Sequence, residues 1–265
     1  MDVVISRDGS GIAYVREGDG PPIVIVGGAL NDHSSTDPLA AELGRDLLVI
    51  SYDRRGRGQS EARTPGSLAN EIEDLRALTD RIGEPVFAYG HSSGAVLSLE
   101  AALAGLPIKR LVVYEPPYVT GTKGRDAPSA DLADRLRVTL AGPGGAEAAV
   151  REFLRLGPGL SDDAIEELST SPAWPRFLTL AHTMPWDAEI VGDGAIPTAR
   201  LAAFLTPTLV LQGGLSPTWA RASTSALADE LPRGELVVLE GLDHGGARVD
   251  PGRVAAEVRR FLLGE

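Results

Sequence analysis

Eight short runs rich in valine, isoleucine and leucine recur along the chain, most of them apolar at nearly every position. VVIS (residues 3–6), IAYVRE (12–17), PIVIVGG (22–28), LLVISYD (47–53), VFAYG (86–90) and RLVVYE (110–115) precede residue 120. TLVLQGG (208–214) and ELVVLEG (235–241) come late. Apolar runs of this length, without strict alternation, suit parallel strands covered on both faces. Amphipathic segments lie between or after them: SLANEIEDLRALTDRIG (67–83), GAVLSLEAALAG (94–105), WARASTSALADELP (219–232) and GRVAAEVRRFLL (252–263). The first has serine at its start and glycine at its end, the usual signs of a capped helix. Strand alternating with helix predicts an α/β sheet with right-handed crossovers.

Residues 118–205 break that rhythm. DLADRLRVTLAG, EAAVREFLRLG and SDDAIEELS read as helices separated by Gly and Pro, with no strand pattern among them. The expectation is a helical insertion at 118–205 in a core formed by 1–117 and 206–265.

Composition narrows the picture. A chain of 265 residues that is 43% apolar is long enough for one large core. The formal net charge of −12 disfavours nucleic acid and anionic lipid surfaces as partners. With no cysteine, thiol nucleophiles, disulfides and thiolate metal sites are excluded. The four histidines lack paired metal-ligand spacing, so neither a metal nor another cofactor is expected. No apolar run reaches membrane-spanning length, and MDVVISRDGSG lacks signal-peptide character, so a cytoplasmic location is the expectation. The pattern leaves oligomeric state open.

Candidate chemistry centres on Gly90-His91-Ser92-Ser93-Gly94, a G-x-S-x-G pattern between an expected strand and an expected helix. In that context the pattern marks a nucleophile elbow, with Ser92 exposed at the carboxyl edge of the sheet and the Ser93 N–H aimed at a developing oxyanion. An ordinary glycine-rich turn is the bland alternative. The glycines of YDRRGRGQS (52–60) fit neither a phosphate loop nor a dinucleotide fingerprint. Asp53 is better read as ordering a turn.

Together with the order of elements, the GHSSG elbow, YDRRGRGQS and LDHGG (242–246) identify a resemblance to the α/β-hydrolase superfamily over nearly the whole chain. The resemblance implies a mostly parallel eight-stranded sheet flanked by helices, with 118–205 as a helical cap. It also implies a serine hydrolase of small molecules, with Ser92 as nucleophile and His244, after the last strand, as base. His91 is expected to point away from the reaction. The superfamily's usual acid follows the seventh strand, where this chain has Ser216. Glu115, at the end of the sixth strand, is the alternative that some members use, and completes the expected set Ser92, His244 and Glu115. The backbone N–H groups of Ala29 and Ser93 are the expected oxyanion donors, although Gly27 stands where many members have histidine. Leu30, His33, His182 and Trp186 are expected to bind substrate. Trp174, Phe177, Leu178, Met184 and Trp186 give the cap an apolar character, which suggests a medium-sized, largely apolar ester, lactone or thioester. A cofactor-free lyase, cyclase or oxygenase on the same fold, and a ligand-binding protein without turnover, stay open.

Overall fold

The computed structural model describes residues 1–120 and 131–264. The part of the expected insertion at 121–130 lies outside the described residues, as does residue 265. Each apolar run becomes a strand: β1 (Asp2–Ile5), β2 (Gly11–Glu17), β3 (Pro22–Val26), β4 (Leu48–Tyr52), β5 (Val86–His91), β6 (Ile108–Tyr114), β7 (Thr208–Gly213) and β8 (Gly234–Leu239). They form one sheet in the order β1-β2-β4-β3-β5-β6-β7-β8. β2 pairs antiparallel with both β1 and β4, and every other pairing is parallel.

Helices α1 (Asp37–Leu43), α2 (Leu68–Ile82) and α3 (Ser93–Leu103) follow β3, β4 and β5. Between β6 and β7 lie α4 (Leu132–Ala141), α5 (Gly145–Leu156), α6 (Asp162–Ser169), α7 (Trp174–Leu180), α8 (Met184–Val191) and α9 (Thr198–Leu201). Helix α10 (Thr218–Glu230) connects β7 to β8, and α11 (Gly246–Val249) and α12 (Pro251–Arg259) close the chain. Among the described residues no helix is long and apolar enough to cross a membrane.

Unbroken apolar runs are needed because both faces of the sheet are covered. In β3, Val24 and Val26 pack with Leu75, Leu78 and Val96 on the α2–α3 face, while Ile23 and Ile25 pack with Leu39, Leu43 and Val254 on the α1–α12 face. Alternate side chains of one strand therefore feed two separate cores. The helices between β6 and β7 carry a third core, in which Leu136, Val150, Trp174, Phe177 and Met184 enclose Leu30 from the sheet's own loops. Helix α2 has the expected ends: Ser67 accepts a hydrogen bond from the Asn70 N–H at 3.2 Å, and Gly83 closes it at φ 80°.

No helix was expected at α7 or α8, the segments that carry Pro175 and Pro185. Each proline sits in the first turn of its helix, where its missing N–H has no intrahelical partner to lose. At the other end of the chain, α12 stops at Arg259 and the expected helix continues only as a looser turn through Gly264.

Candidate active site

Strands β3, β5, β6, β7 and β8 run parallel, so the loops after them gather at one edge. Three non-glycine residues among those described have positive φ: Leu30 (57°), Ser92 (54°) and Glu115 (47°). They follow β3, β5 and β6. Backbone held in such a region costs about 1–3 kcal/mol per residue and survives only where its surroundings fix it. At Ser92 the fixing contacts are plain. Its N–H donates to the Tyr114 carbonyl at 2.9 Å, and its carbonyl accepts from the Ala95 N–H at 2.9 Å. A side chain on Gly94 would come within 2.3 Å of the Val26 carbonyl oxygen, and one on Gly90 within 2.5 Å of the Gly94 carbonyl oxygen. The two glycines let the strand-to-helix turn close tightly enough to hold the serine out from the sheet.

Glu115 is wholly buried. One carboxylate oxygen accepts from the Gly213 N–H at 2.7 Å, which ties the end of β6 to the end of β7. The other lies 2.7 Å from His244 Nδ1. A carboxylate there is an acceptor, which selects the tautomer of the neutral imidazole that carries its proton on Nδ1 and keeps the lone pair on Nε2. The loop holding His244 is fixed from two further sides: Tyr114 donates to the Asp243 carbonyl at 2.6 Å, and His91 Nε2 to the His244 carbonyl at 2.8 Å. Asp243 turns its carboxylate to the Gly245 N–H at 2.8 Å. Ser216, in the place of the usual late acid, is buried and its hydroxyl has no hydrogen-bond partner. Among the described residues no hydrogen bond joins Ser92 Oγ to His244. Such contacts are often long until substrate tightens them.

His91 does not point away from this cluster. Its ring centroid lies 4.6 Å from that of His244, because the last position of β5 faces the loop after β8. Burial, with the nearby His244 adding to it, pushes the His91 imidazole down from 6.5 to about 3. An unfolded chain therefore binds a proton at this position that the folded protein refuses between those two values. Stability is unaffected above that window and falls as pH drops from 6.5 toward 3. Thermal denaturation across that range should show a shallower pH slope for His91→Gln than for the wild type; equal slopes would contradict this.

Ser92 and His244 line a cavity of about 480 Å3 whose walls include Leu30, Leu132, Phe153, Leu154, Phe177 and Val191. Ala29 and Ser93 line it too, and among the described residues neither backbone N–H has an acceptor. The cavity therefore combines an apolar wall, contributed largely by the inserted helices, with a cluster of polar groups on its floor.

Of the expected substrate-binding side chains, Leu30 lines this cavity, whereas His33, His182 and Trp186 are not among its walls. His33 is held by Asp53, which accepts from both its N–H and its Nδ1 at 2.8 Å. His182 sits 2.9 Å from the Gly56 carbonyl, and the Trp186 ring fills the space over Gly56 and Gly66. Asp53 also accepts from the Gln59 N–H at 2.8 Å, the turn-ordering role expected of it. Trp219 and Asp187 line the cavity without any sequence signal having marked them. Among the described residues no group of three or more histidine, aspartate or glutamate side chains is arranged to hold a metal ion.

The sequence profile of the Alpha/beta hydrolase family matches residues 23–257, which span every element of this site. The chain belongs to that family. An alpha/beta hydrolase from Sphaerobacter thermophilus is 43% identical, with a TM-score of 0.92 over 98% of this chain and 99% of that one. A Pseudomonas savastanoi protein named "Putative carbamate hydrolase RutD" is 27% identical over 87% of this chain and 89% of its own length. The "Uncharacterized hydrolase YraK" of Bacillus subtilis is 32% identical, but the match spans only 36% of each protein. These relatives, each named a hydrolase, agree with an enzyme of the alpha/beta hydrolase type.

Proposed function

We propose that the chain is a serine hydrolase cleaving a carboxylic ester, lactone or thioester of a small, largely apolar molecule through an acyl-enzyme. The observation that carries this reading is the buried Glu115 carboxylate 2.7 Å from His244 Nδ1, beside a serine at φ 54° on the floor of an apolar cavity. Serine is a weak nucleophile without an adjacent base, and this arrangement leaves the far nitrogen of His244 free to act as one. Ser92 Oγ attacks the carbonyl carbon while its proton passes to His244 Nε2. The resulting imidazolium is stabilised by Glu115. The carbonyl oxygen, now an anion, is bound by the Ala29 and Ser93 N–H groups. Collapse breaks the bond to the leaving group, which takes the proton from His244. Water then repeats the sequence on the acyl-enzyme, with His244 as base, releasing the acid and restoring Ser92.

Residues 118–205 are read as the cap that selects substrate, and 1–117 with 206–265 as the catalytic core. A panel of p-nitrophenyl esters from acetate to decanoate tests this directly. The apolar wall predicts kcat/KM rising with acyl length until a cavity of about 480 Å3 is filled, by up to about 15-fold per two methylenes at ~0.8 kcal/mol each. Hydrolysis of none of these esters would count against the reading, and a flat profile against the assignment of the acyl subsite.

A second reading, cofactor-free non-hydrolytic catalysis, draws on the missing hydrogen bond between Ser92 and His244 among the described residues. In it Ser92 donates to a bound ligand and His244 removes a carbon-bound proton. It predicts no covalent modification of Ser92 by a serine-directed phosphonate.

A further inference from the structure

One carboxylate from the inserted helices reaches the floor of the site. Asp187, on α8, accepts from Arg54 Nη1 and from Ser93 Oγ, each at 2.7 Å, on one oxygen, and from Arg57 Nη2 at 2.7 Å on the other. Arg54 turns its remaining donors to Glu71, at 2.6 and 3.0 Å. Two cations and two anions thus share a space in which Arg54, Arg57, Glu71 and Asp187 are at most 2% exposed. Burial alone would raise the Asp187 carboxyl, but Arg57 and Arg54 outweigh it and hold the group below the usual carboxylate range. Buried ion clusters of this kind contribute little net stability compared with apolar filling, so a role in orientation is the better account of one placed here.

The far side of the cluster grips the loop after β3. Arg57 Nη1 donates to the Gly28 carbonyl at 2.7 Å and to the Asn31 carbonyl at 3.2 Å, and Arg54 Nη1 reaches the Gly27 carbonyl at 3.2 Å. The two contacts of Arg57 bracket Leu30, whose positive φ needs such restraint. The Gly28 carbonyl and the Ala29 N–H belong to one trans peptide and point in opposite directions. A guanidinium holding that carbonyl in the buried layer aims the Ala29 N–H the other way, toward the cavity that Ala29 lines with Ser92. The residue supplying the second N–H, Ser93, has its hydroxyl anchored on the same carboxylate.

We infer that Asp187 and Arg57 are positioning residues for the oxyanion hole: a single carboxylate on α8 fixes the peptide that presents the Ala29 N–H, through Arg57, and the residue that presents the Ser93 N–H, directly. This rests on the serine-hydrolase reading above. Neither side chain touches the reacting atoms. They act by holding two backbone donors where negative charge develops, so their loss weakens binding of the transition state more than binding of substrate.

Two variants test this. Asp187→Asn preserves shape but turns an N–H2 group toward a guanidinium or hydroxyl donor. Arg57→Met/Asp187→Leu replaces the pair with apolar groups, an exchange that buried ion pairs often tolerate, and serves where the single variant does not fold. In each, kcat and KM for the best p-nitrophenyl ester are measured beside inhibition by an alkylboronic acid, which adds to serine as a tetrahedral anion, and by the matching carboxylate product. The expected result is kcat lower by about 10–100-fold with KM within about threefold, since complete removal of one donor costs about 10²–10³. Affinity for the boronic acid should fall by a similar factor while affinity for the carboxylate product is kept. A folded variant whose kcat and boronic-acid affinity stay within about twofold of wild type overturns the inference, as does equal weakening of boronic acid, product and substrate. Wild-type protein that neither cleaves the esters nor takes up the boronic acid overturns the serine-hydrolase reading itself, and the inference with it.

Discussion

Ser92→Ala lowers ester turnover by about 10⁴–10⁶-fold and leaves the fold intact, because it removes the nucleophile and nothing that packs. Ser92→Gly gives the same loss with a second signature. The serine sits at φ 54° and ψ −123°, a region comfortable only for glycine. Relief of that strain exceeds the extra unfolded-state entropy of glycine, so the variant gains about 1 kcal/mol, or about 2 °C in Tm for a chain of this size. Lost activity with raised stability identifies a residue strained for function. Retained turnover in either variant would remove Ser92 from the chemistry, and an unchanged or lower Tm in Ser92→Gly would remove the strain from the account.

Glu115→Gln lowers kcat by about 10⁴-fold with KM little changed. Both oxygens of Glu115 accept from N–H donors, Gly213 N–H on one side and His244 Nδ1–H on the other. An amide supplies one acceptor and one N–H2 group, so it cannot satisfy both. Keeping the bond to Gly213 places the N–H2 group against His244 and drives the imidazole proton to Nε2, where it can no longer take a proton from serine. The stability cost of a mismatched buried donor is about 1–3 kcal/mol, which circular dichroism and thermal melting will separate from the kinetic loss. A kcat within about threefold of wild type would show that Glu115 is not the triad acid.

Much of the sheet was legible because strands covered on both faces must be apolar throughout, and that leaves an unmistakable trace in runs such as PIVIV. The elbow was legible for a different reason: α3 lies so close to β5 at position 90, and to the end of β3 at position 94, that only glycine fits at either. Glu115 could be singled out by where it ends an apolar strand and by the absence of an acid after β7, but its bond to His244 bridges 129 positions of sequence. The helices beginning at Trp174 and Met184 were not expected; each carries a proline in its first turn, a residue that marks a helix start as readily as a break.

The arginines of YDRRGRGQS were the least legible feature. Read locally, they belong to a turn ordered by Asp53, and that much the structure bears out. Their partners lie far away: Arg57 meets Asp187 across 130 positions, and Asp187 stands in MPWDAEI with nothing local to distinguish it. His91 was misplaced for a similar reason, since the loop that accepts its hydrogen bond comes from the other end of the chain. Local periodicity reports which face a side chain takes, not which distant group waits there.

The measurement that bears most directly on this account is the intact mass of the protein after reaction with a fluorophosphonate, followed by peptide mapping of the adduct. The account predicts a single adduct per chain, located on Ser92 and absent from Ser92→Ala. A folded protein that acquires no adduct, or acquires it elsewhere while Ser92 stays unmodified, would contradict it.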